Sequence, residues 1–358
     1  MTNNNLMLED HLLSIAEKVG ENISNSYLTT GDYLPVNSWG CEGQIYPSLL
    51  GIATLELYKR TGKKVFLDGT KAIITFNANH QMKSGGWALS LGRNGNGIRF
   101  AIDSNIKKIT ADQEDLPPTV VALRLMSDYR IATEDRTFDI ELNKGVDFLM
   151  KYWDDTENCF NEMLTGEALK LRANPKNYHI YAYQAIESLS KIYPELSRCI
   201  EPLYNSVKEH FEQMNQYTYP LLQAMHATLI IEKEKDSKFV KEIVKNRISN
   251  ELGFRSPFLV KNLPGALGHN DGLRGVHLNE GHIRNSIGVS VAMKYYDFFI
   301  EKNTFTKTKF YSDLNKWIES MYNGDGNFYE FIDVETMKKE GLGTPGMYLP
   351  VFWILGIL

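Results

Sequence analysis

The sequence is poor in the features that mark several large classes of protein. Cysteine occurs three times in 358 residues, at Cys41, Cys159 and Cys199, and no two form a Cys-x-x-Cys pair. That argues against a disulfide framework and a zinc knuckle and fits a reducing cytosol. No long Lys or Arg run occurs and the formal charge is -5, so no electrostatic footprint points to nucleic acid. No apolar stretch reaches the roughly 18 residues needed to span a bilayer, so no transmembrane segment is expected. The most apolar run, 347–358, is interrupted by Pro350 and Gly356. It reads as a buried last helix, with contact at a membrane surface as the second placement. Residues 1–10 are polar and rich in Asn, without the basic and then apolar regions of a secretory signal. A cytoplasmic protein is expected, and no alternating run is convincing enough for sheet to carry the fold.

What is present is a two-beat repeat. A helix of mixed polarity is followed by a helix that is apolar nearly all round, and such a helix must be buried on every side. The inner helices are read at 44–58, 116–126, 178–191, 220–231, 282–299 and 347–358. Their amphipathic partners are read at 8–19, 65–80, 138–152, 200–214, 239–248 and 311–322. Pro47, Pro117, Pro118 and Pro220 fall in first turns, where a missing N–H costs nothing. Six outer and inner pairs predict an all-α chain, an (α/α)6 toroid or six-hairpin barrel, as a single domain over 1–358. Long connections at 82–114, 153–177, 252–281 and 323–343 each precede an inner helix, and loops of that length in a compact domain are usually functional. A toroid would gather them at one mouth, where helix N-termini favour an anionic group.

The polar residues at the inner-helix starts are the candidates for a site. They are Glu42 before the first helix; Asp112, Glu114 and Asp115 before the second; His179 and Tyr181 in the third; Tyr219 before the fourth; His282, Arg284 and Asn285 in the fifth; and Tyr348 in the last. The densest polar stretch, 268–285, adds His269, Asp271, Arg274, His277 and Glu280. It offers a general acid or base, or a clamp for a carboxylate or phosphate. Its plainer reading is a Gly-rich surface loop held by its own hydrogen bonds. The histidine spacings match no helical ligand pair, so no metal is assigned. Crowding of Asp112, Glu114 and Asp115 would raise one carboxyl's pKa and keep it protonated; the plainer reading is an acidic helix cap.

Two families are resembled. The run Lys71-Ala72, Phe76, Gln81-x-x-x-Gly85-x-Trp87 resembles the QW repeat of squalene and diterpene cyclases. Asp112-Gln-Glu-Asp115, followed by Thr119-Val-Val-Ala, resembles the Asp-x-Asp-Asp-Thr-Ala motif of class II terpene cyclases, which also opens an inner helix of a toroid. Gly324-Asp-Gly-Asn-Phe328 is a fainter echo of the same turn. The likeness covers residues 65–160, with Glu114 where the family has its middle aspartate and Leu116-Pro-Pro118 intruding before Thr119. It implies an enzyme that protonates an isoprenoid, with Glu114 as acid, Asp112 and Asp115 orienting it, and aromatic faces steadying the cation. It implies no cofactor, or Mg²⁺ only where the substrate is a diphosphate.

Pro47-Ser-Leu-Leu-Gly51 followed by Leu57-Tyr-Lys-Arg-Thr-Gly62 resembles the first helix pair of carbohydrate enzymes with the same toroid: glycosidases, unsaturated-uronate hydrolases and polysaccharide lyases. This implies an oligosaccharide substrate. Hydrolysis would use paired carboxylates from Glu42, Asp115, Asp271 and Glu280. Elimination would use His179 or His282 with Tyr181, and Arg284 to neutralise a uronate. A non-catalytic binding toroid, with its tyrosines as ordinary core, is the third reading.

Overall fold

The structure, a computed structural model, describes residues 3–35, 43–91, 98–102, 105–109, 114–160, 178–270 and 276–358. Each helix expected from the periodicity has its counterpart among them. The outer positions are α1 (Asn3–Thr30), α3 (Lys64–Asn79), α5 (Asp139–Met150), α7 (Ile200–Gln213), a π-helical stretch (Val240–Val244 and Arg247–Phe254) and α10 (Lys309–Ser320). The inner positions are α2 (Ile45–Thr61), α4 (Leu116–Thr133), α6 (His179–Leu189), α8 (Pro220–Lys233), α9 (Ile283–Phe299) and α11 (Pro345–Leu355). No helix among the described residues is long and apolar enough to cross a membrane.

The inner helices are buried as their composition demands. In α4 the residues from Leu116 to Leu123 are all buried, and in α9 those from Ile283 to Met293. Each fully buried Leu, Ile or Val contributes about 1.5–3 kcal/mol, which is what holds the polar residues at the helix starts in place. The largest difference from the expected boundaries is in the first helix. The first helix runs on through Gly20, where a Cβ would have no room beside Leu57, and stops at Gly31, whose φ is 63°. The glycine within the helix serves close packing; the one after it supplies the left-handed turn.

The chain forms two compact units, Gly20–His210 and a second made of Met1–Val19 with Phe211–Leu358. In the first, α2 packs on α3 and α4, and α4 packs on α5 and α6. In the second, α9 is the hub, packed against α8, α10, α11 and the π-helical stretch. Gly288 lets α9 approach α8 at Leu221.

The long connections hold short antiparallel ladders that the sequence pattern is too brief to reveal. They are β1 (Ile98–Ile102) with β2 (Asn105–Ile109), β3 (Trp153–Asp154) with β4 (Cys159–Phe160), β5 (His269–Asn270) with β6 (Val276–His277), and the sheet of β7 (Glu280–His282), β8 (Phe331–Asp333) and β9 (Lys339–Glu340). In that last sheet Glu280 faces Asp333 and His282 faces Phe331.

Candidate functional site

The second unit holds a cluster of imidazoles at the start of α9. Strand β7 runs straight into that helix, so His282 has extended backbone, with φ -102° and ψ 124°, and occupies the cap position without capping. Residues two apart on a strand share a face. Glu280 and His282 therefore meet, and His282 Nε2 lies 2.9 Å from Glu280 Oε2. The His282 ring stacks on Phe331 of β8 at 5.3 Å and lies 4.8 Å from the ring of His269, tilted by 38°. His269 in turn sits edge-on to Tyr219, the residue before α8, at 5.4 Å.

The spacing of the two histidines is fixed by backbone. The His282 N–H donates to the Leu267 carbonyl at 2.7 Å, and Asn285 Nδ2 donates to the Gly268 carbonyl at 2.6 Å. Asn285 is fully buried, and its Oδ1 accepts the Leu221 N–H at 3.3 Å, which ties the start of α8 to the same frame. Arg284, in the first turn of the helix and buried, pairs with Glu330, which has no exposed surface. The Ile283 N–H donates to the Glu330 carbonyl at 3.0 Å, so the same residue anchors the helix start through its backbone.

Charge follows from these contacts. Burial holds the His282 imidazole below its ordinary pKa, against an upward pull from Glu280. The hydrogen bond from His282 holds the Glu280 carboxyl below its ordinary value. The pair at neutral pH is then a carboxylate and an uncharged ring, with Nε2–H donated to Glu280. Nδ1 carries the lone pair, is buried, and meets no hydrogen-bond partner among the described residues. His269 is pushed down to about 2 by burial and then by Arg284, His282 and His277. A buried, uncharged imidazole with an unspent lone pair, its other nitrogen held by a carboxylate, is the arrangement of a general base. Among the described residues no cluster of three or more His, Cys, Asp or Glu is arranged to hold a metal ion.

The remaining candidates have contacts of their own. His179 lies with Nδ1 2.8 Å from Ser206 Oγ and Nε2 3.1 Å from the Phe160 carbonyl oxygen, so both its nitrogens are engaged in packing α6. Tyr181 stacks on Tyr178 at 6.4 Å, and Tyr348 is buried edge-on to Phe352 at 5.4 Å. These three join their own helices and are not brought to the imidazole cluster by any contact described. Glu42, Asp112, Asp271 and Arg274 lie outside the described residues.

At the start of α4, in the first unit, Asp115 is fully buried and its Oδ1 accepts the Leu116 N–H at 2.8 Å, the cap that was its plainer reading. Glu114 is buried, and that burial raises its pKa while the Gly86 N–H pulls it down. Trp87 has no exposed surface and donates Nε1–H to the Asn77 carbonyl at 2.8 Å. Gln81 Nε2 donates to the carbonyls of Gly85 at 2.8 Å and Glu141 at 2.9 Å. The Gln-Gly-x-Trp run is thus a turn that fastens the end of α3 to α5.

Glu330 was missed in the sequence. Its signal is the alternation of Phe328, Glu330 and Ile332, all buried, with half-exposed Tyr329 and Phe331 between them. A carboxylate on the inward beat of such a stretch calls for a buried cation.

Helix order and burial together define a class, the all-α (α/α)6 toroid, and solved structures share it. The chain is similar to a D-mannose isomerase, with 10% identity, TM-score 0.69 and 97% of both chains covered. It is similar to the cellobiose 2-epimerase from Spirochaeta thermophila DSM 6192, with 12% identity, TM-score 0.68, and 99% of this chain and 98% of that one covered. An unsaturated glucuronyl hydrolase specific for heparin gives 11% identity, TM-score 0.59 and 97% coverage of both. No protein-family profile matches the chain, and no curated protein does. At such identities the likeness establishes the fold. It supports the toroid expected from the sequence without singling out the terpene cyclases.

Proposed function

We propose that the chain is a carbohydrate-active enzyme that moves a proton between carbons 1 and 2 of an open-chain sugar, interconverting an aldose and a ketose. The observation that carries this reading is the buried, neutral His282, with Nε2–H given to Glu280 and Nδ1 bare. A hydrolase would need two carboxylates free to act across one bond. Among the described residues at the start of α9, Glu330 is paired with Arg284 and Glu280 with His282, and the group these contacts leave able to take a proton is an imidazole. Names of the neighbouring structures, a mannose isomerase and a cellobiose epimerase, fit the same chemistry. The carbohydrate alternative is better supported than the isoprenoid one, because the cluster around α9 is built of imidazole, guanidinium and carboxylate rather than aromatic faces alone.

The test is incubation with D-mannose, D-glucose or cellobiose in D2O, following loss of the C2 proton and appearance of the ketose by NMR. His282→Asn should lower the rate by about 10²–10⁴-fold, the range for removing a positioned acid or base. Undiminished exchange in that variant would remove His282 from the chemistry. No exchange by the wild type on any of the three sugars would count against the isomerase reading itself.

A further inference from the structure

Proton transfer between two carbons leaves a second task unassigned. When His282 Nδ1 takes the C2 proton, the C2–H electron pair forms the C1–C2 double bond and the carbonyl pair moves onto O1. The proton on O2 must then leave as C2 becomes the carbonyl, and O1 must gain one. An enediolate oxygen is stabilised best by a donor already in place.

His269 has the placement for this. Its ring lies 4.8 Å from that of His282, and the two segments are locked by the Leu267 carbonyl to the His282 N–H and by the Gly268 carbonyl to Asn285 Nδ2. Tyr219 stands against one side of the ring, before α8, and β6 brings His277 opposite it in register. The charged and titratable groups that bear on it are Arg284 on α9, His282 at the end of β7 and His277 on β6. All three oppose a positive charge there.

We infer that His269 is the group that handles the sugar oxygens: as a neutral imidazole it gives its ring N–H proton to O1 and recovers a proton from O2 at the same nitrogen. This rests on the isomerase reading above. Nothing is oxidised or reduced overall, and the ring ends as it began. Meanwhile the proton on His282 is delivered to C1. A ring that is hard to protonate suits the work, because its N–H is the acid and the imidazolium never forms; burial and Arg284 keep it in that state.

Two measurements test it on the full chain. In protein labelled with ¹⁵N-histidine, with the His269→Gln spectrum used for assignment, the His269 ring should remain neutral from pH 5 to 8 with no sugar present. A ring that titrates in that range overturns the proposal whatever the activity. In D2O, His269→Leu should lower kcat by about 10²–10³-fold with KM little changed, as loss of a donor to a developing oxyanion does. His269→Gln retains a neutral N–H and should recover part of that loss, with the acid limb of the pH profile where the wild type has it. Equal loss in both variants, or a fall confined to KM, makes the ring a packing or binding residue. If His269→Leu abolishes C2 exchange while His282→Asn keeps it, the two histidines have exchanged roles and the assignment is wrong. Failure of the wild type on all three sugars refutes the isomerase reading and this one with it, and is told apart from the others because no variant is involved.

Discussion

Two inner helices begin in polar clusters, α4 at Glu114 and Asp115 and α9 at His282 and Arg284, and the two clusters spend their polar groups differently. At α4 the Asp115 carboxylate caps the helix, the Trp87 indole holds the Asn77 carbonyl, and the Trp87 N–H donates to Thr119 Oγ1 at 3.1 Å. Each of these bonds fastens chain to chain. At α9 the fastening is done by backbone and by Asn285, which leaves His282 Nδ1 with a lone pair and no partner among the described residues. Leaving a buried nitrogen unsatisfied costs about 1–3 kcal/mol. Asn77 Oδ1, beside α4, is also buried without a hydrogen-bond partner among the described residues, so the difference lies in the kind of group left over: an amide oxygen at α4, and at α9 an imidazole nitrogen that can take a proton.

The largest expected effect attacks the frame of the α9 cluster. Removing one partner of a buried ion pair leaves an uncompensated charge, so Glu330→Ala should lower stability by about 3–5 kcal/mol in urea denaturation. Replacing both members, as in Arg284→Met with Glu330→Leu, should recover most of it. If the single variant costs nothing, Glu330 is not what holds Arg284, and the two clusters differ less than drawn.

Glu280→Gln comes next, because it touches the proposed base without touching the core. Glu280 raises the pKa of His282, and the base works when deprotonated. Losing the carboxylate should therefore move the acid limb of the rate profile to lower pH while the plateau falls by about 10²-fold, the scale of a positioned base losing its partner. A plateau that falls with the limb unmoved would mean that Glu280 acts on something other than His282.

The two clusters were not equally legible in the sequence. All-round apolar runs such as those of α4 and α9 are long enough for the helical period to declare itself, so the order of the helices was readable. Glu280 to His282 is a three-residue strand, too short to show its period of two, and so the hydrogen bond between them was hidden. The Arg284 to Glu330 pair closes over 46 residues of chain through the pairing of β7 with β8, a register that composition does not encode. His179 was opaque for a different reason. A histidine at a helix start stands out by its type alone, and its contacts with Ser206 and Phe160 are made by residues distant in the sequence.

The smaller effects belong to α4 and test whether that cluster is structural throughout. Asp115→Ala should cost about 1 kcal/mol, the usual loss for an N-cap, and leave exchange at C2 unchanged on sugars. A loss of exchange would join Asp115 to the chemistry and break the comparison.

Glu114→Gln is the finest of these tests, since its sign can be set in advance. Burial raises the Glu114 pKa above the unfolded value of about 4.3. The folded chain therefore holds that proton more tightly, and its stability falls as pH rises through the folded pKa. Glutamine cannot ionise and escapes this penalty. Relative to the wild type, the variant should gain stability at pH 7–8, and the gain should disappear as pH drops below about 4. An unchanged or reversed difference would mean that the carboxylate form is favoured in the fold, as a group with a charged partner would be. The same variant separates the two chemistries that a toroid can host. Were Glu114 the acid of an isoprenoid cyclase, Gln would abolish turnover. If α9 carries the reaction, exchange on sugars should persist in a protein that is slightly more stable at neutral pH than its parent.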